Sequence, residues 1–130
     1  MRLAILFSGQ GSQQPEHLRQ LKAEAEAELA AAIAEAIPEV WSENSDDPAP
    51  LARNHVAQPL IFGYQMMLWQ QLQLPRPICV AGYSLGEMAA CCVAGSFPAT
   101  AGVALCTQRA LLMDRAFLAG GGMLAILGLG

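Results

Sequence analysis

The sequence predicts an α/β fold built on parallel strands. Three observations carry that expectation: two short apolar runs that each end in a Gly-rich turn, helical periodicity in the stretches that follow them, and a serine between glycines at the second turn. Residues Arg2 to Phe7 read as a continuously apolar strand of the kind buried on both faces, ending at Ser8-Gly9-Gln10-Gly11-Ser12-Gln13. From Glu16 to Ile37, Leu18, Leu21, Ala25, Leu29, Ile33 and Ile37 recur every three or four residues, which predicts one amphipathic helix closed by Pro38. The polar, proline-broken stretch Ser42 to Pro50 reads as a surface loop. A second helix is expected over Pro59 to Gln73, with proline in its first turn and Met66, Met67 and Trp69 packing inward. Strand two is expected at Ile78 to Tyr83 and an elbow helix from about Gly86 to Ala94, broken by Gly95-Ser96-Phe97-Pro98. A further helix follows from about Ala99 to Leu118, then a third strand from Met123. Two or three strands are too few to complete such a sheet.

Composition points the same way. The 130 residues suit one domain, yet 54% are hydrophobic and only 14% charged, with a mean hydropathy of +0.34. That is more apolar surface than a small domain hides easily, so part of it is expected to face protein that this sequence does not contain. No apolar run approaches the roughly 18 to 20 residues that cross a bilayer, and the start shows no signal-peptide pattern; a cytoplasmic location and no membrane partner are expected. A net charge of −4 and scattered Lys and Arg give no stripe for a nucleic-acid backbone, so no nucleic acid is expected as a partner. Cys79, Cys91, Cys92 and Cys106 match no metal or redox spacing. The adjacent Cys91 and Cys92 point about 100° apart on a helix, so both are expected to be small packing residues, with no metal bound.

Gly82-Tyr83-Ser84-Leu85-Gly86 carries the chemistry. Between a strand and a helix, a serine flanked by glycines can occupy a strained turn that holds its hydroxyl above the sheet, next to a helix N-terminus. Ser84 is the candidate nucleophile. The amide of Leu85 and one from the Gly9-Gln10-Gly11 turn are candidate donors to a developing oxyanion, and such donors are worth about 2.7 to 4 kcal/mol each. Gly9-Gln10-Gly11 lacks the third glycine of the dinucleotide fingerprint and the Gly-Lys-Ser/Thr ending of a P-loop.

Four motifs in order, Phe7-Ser8-Gly9-Gln10-Gly11-Ser12-Gln13, Gln58-Pro59, Gly82 to Glu87 with Ala89-Ala90, and Gln108-Arg109 with Met113, resemble the malonyl-CoA:acyl-carrier-protein acyltransferases and the related acyltransferase domains of polyketide synthases. The resemblance implies the first part of an α/β-hydrolase-like large subdomain over residues 1–122. It also implies the opening strand of a small ferredoxin-like subdomain over 123–130, with the C-terminal remainder of the protein as the missing partner. The activity it implies is ping-pong transfer of a malonyl or related acyl group from coenzyme A to the phosphopantetheine thiol of an acyl carrier protein, in fatty-acid or polyketide synthesis, without a resident cofactor. Ser84 would carry the acyl ester, the amides of Gln10 and Leu85 would form the oxyanion hole, and Arg109, 25 residues beyond Ser84, would hold the free carboxylate. A planar guanidinium suits that task because it makes two parallel charge-assisted hydrogen bonds. Gln58 and Tyr83 match positions beside the acyl site.

The sequence departs from the family at three points. Ser8 replaces a proline, Tyr83 replaces a histidine and bears on acyl selectivity, and the family's catalytic histidine matches no position up to Gly130. His17 and His55 precede the nucleophile, against the family's chain order, and read as surface residues. Three further readings stand beside the first: the acyltransferase subunit of a malonate decarboxylase, a serine esterase, and a truncated fragment inactive without the downstream histidine.

Overall fold

The computed structural model describes residues 2–43, 46–117, 124 and 126–128. Strand β1 (Ala4–Phe7) leads through the Gly-rich turn into helices α1 (Pro15–Glu24), α2 (Ala27–Ala36) and the single turn α3 (Pro38–Trp41). A 3-10 turn (Pro50–Ala52) precedes the long helix α4 (Asn54–Leu72). Then follow β2 (Cys79–Gly82), α5 (Gly86–Val93) and α6 (Ala99–Ala116). β1 and β2 pair in parallel, with Ala4 opposite Cys79 and Phe7 opposite Gly82. Backbone bonds from Ile78 to Leu3 and from Tyr83 to Phe7 extend the ladder at both ends. Both Gly-rich turns therefore leave the same end of the sheet.

Helix α4 is the axis of the core. Every residue from Val56 to Gly63 is buried, and helices α1, α2, α5 and α6 all pack on it. Phe62, Leu60, Met66 and Met67 of α4 meet Leu21, Ile33, Ile37, Leu85, Val103 and Cys106 in one cluster. A stretch buried on every side is the signature of a core helix, and α4 is exposed only toward its end, at Gln70, Gln71 and Leu72. Met66 and Met67 are buried as expected, while Trp69 is half-buried beside an apolar groove of about 410 Å³ that also touches Leu6, Phe7 and Leu72.

Three expectations about the helices need correction. The helix expected over 16–37 is two helices: Ala25 (φ −68°, ψ 144°) and Glu26 (φ −58°, ψ 148°) are extended. That bend lets α2 reach α6 as well as α4, and tertiary contact outweighs the helix propensity of an Ala-Glu run. Pro38 opens α3 rather than simply closing the helix before it. Pro59 lies in the interior of α4, not in its first turn. The helix is nucleated upstream, where the Val56 and Ala57 amides donate to the Arg53 carbonyl, and the dense burial around Pro59 offsets the backbone bond that proline cannot make.

The strands are not buried on both faces. Residues alternate between exposed and half-buried in each, with Leu6 80% exposed, because the helices of this chain cover one side only. Cys92 packs against the core as expected, but Cys91 is exposed: the ~100° step between neighbours on a helix turns it away. Of the third strand expected from Met123, residues 123, 125, 129 and 130 lie outside the described residues. Leu124, Ile126, Leu127 and Gly128 are described without strand pairing. Among the described residues no helix is long and apolar enough to cross a membrane.

Candidate active site

Ser84 sits between β2 and α5 with φ +53°, in the left-handed region that non-glycine residues rarely adopt. The bend is enforced by backbone contacts on both sides. A Cβ at Gly82 would lie 2.0 Å from the Gly86 carbonyl carbon, and one at Gly86 would lie 2.2 Å from the Phe7 carbonyl oxygen. Any side chain at either position would drive α5 off the sheet. The Gly86, Glu87 and Met88 amides donate to the Tyr83, Ser84 and Leu85 carbonyls and set α5 directly behind the serine. The Leu85 side chain is fully buried beneath the bend, whereas Ser84 and Tyr83 are exposed above it.

The two Gly-rich turns meet here. A Cβ at Gly9 would stand 3.0 Å from the Tyr83 carbonyl oxygen and 3.7 Å from Ser84 Cβ, so the first turn lies against the elbow. Among the described residues, neither the Gln10 nor the Leu85 amide donates to a protein acceptor. Side chains brace the first turn from outside. Gln65 Nε2 donates to the Ser8 carbonyl at 2.9 Å, and the Gln13 side chain accepts from the Gly11 amide at 2.8 Å while donating to the Leu51 carbonyl at 3.0 Å.

Arg109 reaches the elbow from α6. Its Nη2 donates to Ser84 Oγ at 3.2 Å, and its Nη1 donates to Gln58 Oε1 at 2.9 Å and to Met113 Sδ at 3.1 Å. Gln58 is fully buried, and its Nε2 donates to the same sulfur at 3.3 Å. The structure thus brings Ser84, Arg109 and Gln58 into one contiguous cluster and lays the turn holding Gln10 beside it. Tyr83, 79% exposed, stands on the open side of the serine. Two histidines are engaged elsewhere: His17 Nδ1 accepts from the Gln14 amide and its ring stacks on Tyr64, and His55 Nε2 is paired with Glu39 at 2.8 Å.

Sequence reasoning left two side chains out of the site. Asn54 accepts from Gln10 Nε2 at 2.8 Å and donates to Asp114 at 2.6 Å. Neither carries a local motif. The only hint in the sequence is that Asp114 follows Arg109 and Met113 on the same helix.

A serine on a strand-to-helix bend, flanked by a second Gly-rich turn, defines an α/β protein of the nucleophile-elbow type. No protein-family model matches the chain. It is 34% identical over 139 residues to the malonyl CoA-acyl carrier protein transacylase of Salmonella typhimurium, a match covering 98% of this chain and 44% of that protein. It is 36% identical over 108 residues to the polyketide synthase GfsA of Streptomyces halstedii, covering 73% of this chain and 1% of the synthase. Among solved structures, an acyl carrier protein S-malonyltransferase from Vibrio cholerae superposes with a TM-score of 0.71 at 34% identity, covering 92% of this chain and 42% of that one. The chain belongs to the malonyl-CoA:acyl-carrier-protein acyltransferase family, and it spans less than half the length of the free-standing relatives it matches.

Proposed function

We propose that this chain supplies the nucleophile-bearing part of an acyltransferase that moves a malonyl or related acyl group from coenzyme A to an acyl carrier protein. One observation carries the reading: the Ser84 hydroxyl lies on a left-handed bend, with the Gly9 turn against it and the Arg109 guanidinium 3.2 Å away. Ser84 Oγ attacks the thioester carbonyl, its proton passing to a base from outside the described residues, and the carbon–sulfur bond breaks to release coenzyme A as its thiol. The ester then yields to the phosphopantetheine thiol of the carrier, which regenerates the serine. The Gln10 and Leu85 amides face the negative oxygen that develops in both steps, and neither has a competing protein acceptor among the described residues.

Arg109 takes the free carboxylate of the acyl group. It rests on Ser84 Oγ and Gln58, and a carboxylate offers its fork two charged acceptors in place of a neutral hydroxyl. Tyr83, beside the serine and open to solvent, borders the acyl group and bears on its selection. The reaction so written uses coenzyme A as substrate and needs no resident cofactor, and a cytoplasmic location suits it.

The test is to incubate the intact gene product with radiolabelled malonyl-CoA and map the labelled peptide by mass spectrometry. An ester on Ser84 that is discharged by a holo carrier protein is the expected result. An ester on another residue, or hydrolysis of neutral esters without transfer, would refute the reading. Offering fatty-acid, polyketide and malonate decarboxylase carriers side by side identifies the acceptor.

A further inference from the structure

We propose that Asn54 and Asp114 are positioning residues that hold the Gln10 turn in register with Ser84; the inference rests on the acyl-transfer reading above. Gln10 Nε2 donates to Asn54 Oδ1 at 2.8 Å, and Asn54 Nδ2 donates to Asp114 Oδ1 at 2.6 Å. Asn54 is the first residue of α4, and Asp114 lies in the last turn of α6. Five residues earlier on α6, Arg109 donates to Ser84 Oγ. One helix therefore grips the reacting centre from two directions, touching the nucleophile through Arg109 and the facing turn through Asp114 and Asn54.

The polarity of the chain runs one way. A carboxylate only accepts, so Asp114 fixes the Asn54 amide with its NH₂ toward α6 and its oxygen toward Gln10. That oxygen in turn demands the NH₂ of Gln10. The charge on Asp114 thus sets the orientation of the side chain whose own backbone amide is the proposed oxyanion donor. Such donors act through being in place before charge develops. A turn flanked by Gly9 and Gly11 has many other conformations to visit, so an external tether has an effect there that it would lack on a stiffer segment.

The experiment measures transfer by the intact gene product carrying Asn54→Asp, Asp114→Asn, or both. N54D alone sets two carboxylates against each other and breaks the pattern. In the N54D/D114N exchange, the new carboxylate accepts both from Gln10 and from the new amide at 114, restoring it. The expected result is a kcat for N54D lower by about tenfold, short of the ~10²–10³ loss of a whole oxyanion donor. The KM for acyl-CoA and the melting temperature should stay near wild type, and the exchange should recover kcat. An N54D variant with wild-type kcat, a loss explained by a lower melting temperature, or an exchange that fails to restore kcat would overturn the role. A wild-type protein that places no ester on Ser84 would overturn the acyl-transfer reading itself, and the positioning role with it.

Discussion

Arg109 joins an exposed hydroxyl to a buried amide: one guanidinium donates to Ser84 Oγ at 3.2 Å and to Gln58 Oε1 at 2.9 Å. The second contact gives the arginine a structural role beside the carboxylate-binding one proposed for it, because Gln58 is inaccessible to water. Arg109→Ala strands the Gln58 oxygen, and a buried acceptor left without a donor costs about 1–3 kcal/mol. A urea titration is expected to show that loss. Arg109→Gln retains an N–H donor for Gln58 without the charge, so it should recover most of the stability and still fail to favour acyl groups with a free carboxylate. Competition between malonyl-CoA and acetyl-CoA reads the second effect.

The strain at Ser84 yields a separable outcome. A non-glycine residue in the left-handed region costs on the order of 1–3 kcal/mol. Ser84→Gly is expected to raise the midpoint of chemical unfolding, the free energy of unfolding increasing by roughly 1 kcal/mol once the greater freedom of glycine in the unfolded chain is set against the relieved strain. The same variant should accept no acyl ester. An unchanged or lower midpoint would mean that the bend is not strained in solution.

How far the sequence revealed this site depends on how local each constraint is. The elbow was legible because backbone contact dictates Gly82 and Gly86, and the apolar run before them sets the strand. The parallel pairing of β1 with β2 followed from the same alternation of strand, turn and helix. The contact between Arg109 and Gln58 has no local signature, since 51 residues separate them; only the family resemblance placed both near the serine. Asn54 and Asp114, 60 residues apart, were invisible for the same reason. The bend at Ala25-Glu26 was missed because helix propensity favours those residues and only packing against α6 decides against them.

The close approach at Gly86 predicts a steep cost for the smallest possible change. Gly86→Ala brings a methyl group to 2.2 Å from the Phe7 carbonyl oxygen and 2.8 Å from that of Ser8, both backbone atoms that cannot swing aside. The loss is expected at the upper end of the ~1–3 kcal/mol typical of overpacking. Because Phe7 and Ser8 lead into the Gly9 turn, the variant should also lose acylation out of proportion to its unfolded fraction. Gly11→Ala is the control for space: nothing lies within 4 Å of a Cβ there, although its φ of +128° still strains an alanine. Its smaller cost should come from backbone conformation alone.

Cys106 gives the fold a pH dependence at the alkaline end. It is buried on α6 against the core, and desolvation lifts its thiol from an ordinary value of 9.0 to about 12, against the opposing pull of the nearby Arg109 charge. A raised pKa means that the folded state holds a proton which the unfolded state releases. The contribution to stability is complete below pH 9 and is lost progressively as pH rises from there toward 12. Unfolding followed by urea between pH 8 and 11 should show that decline. Cys106→Ala, whatever its baseline stability, should have a flatter profile over the same range. At pH 8 the exposed Cys91 is expected to react with iodoacetamide in the native protein, while Cys106 reacts only after unfolding. If Cys106 were alkylated in the native state as fast as Cys91, the packing of α6 on α4 would have to be looser than the structure shows.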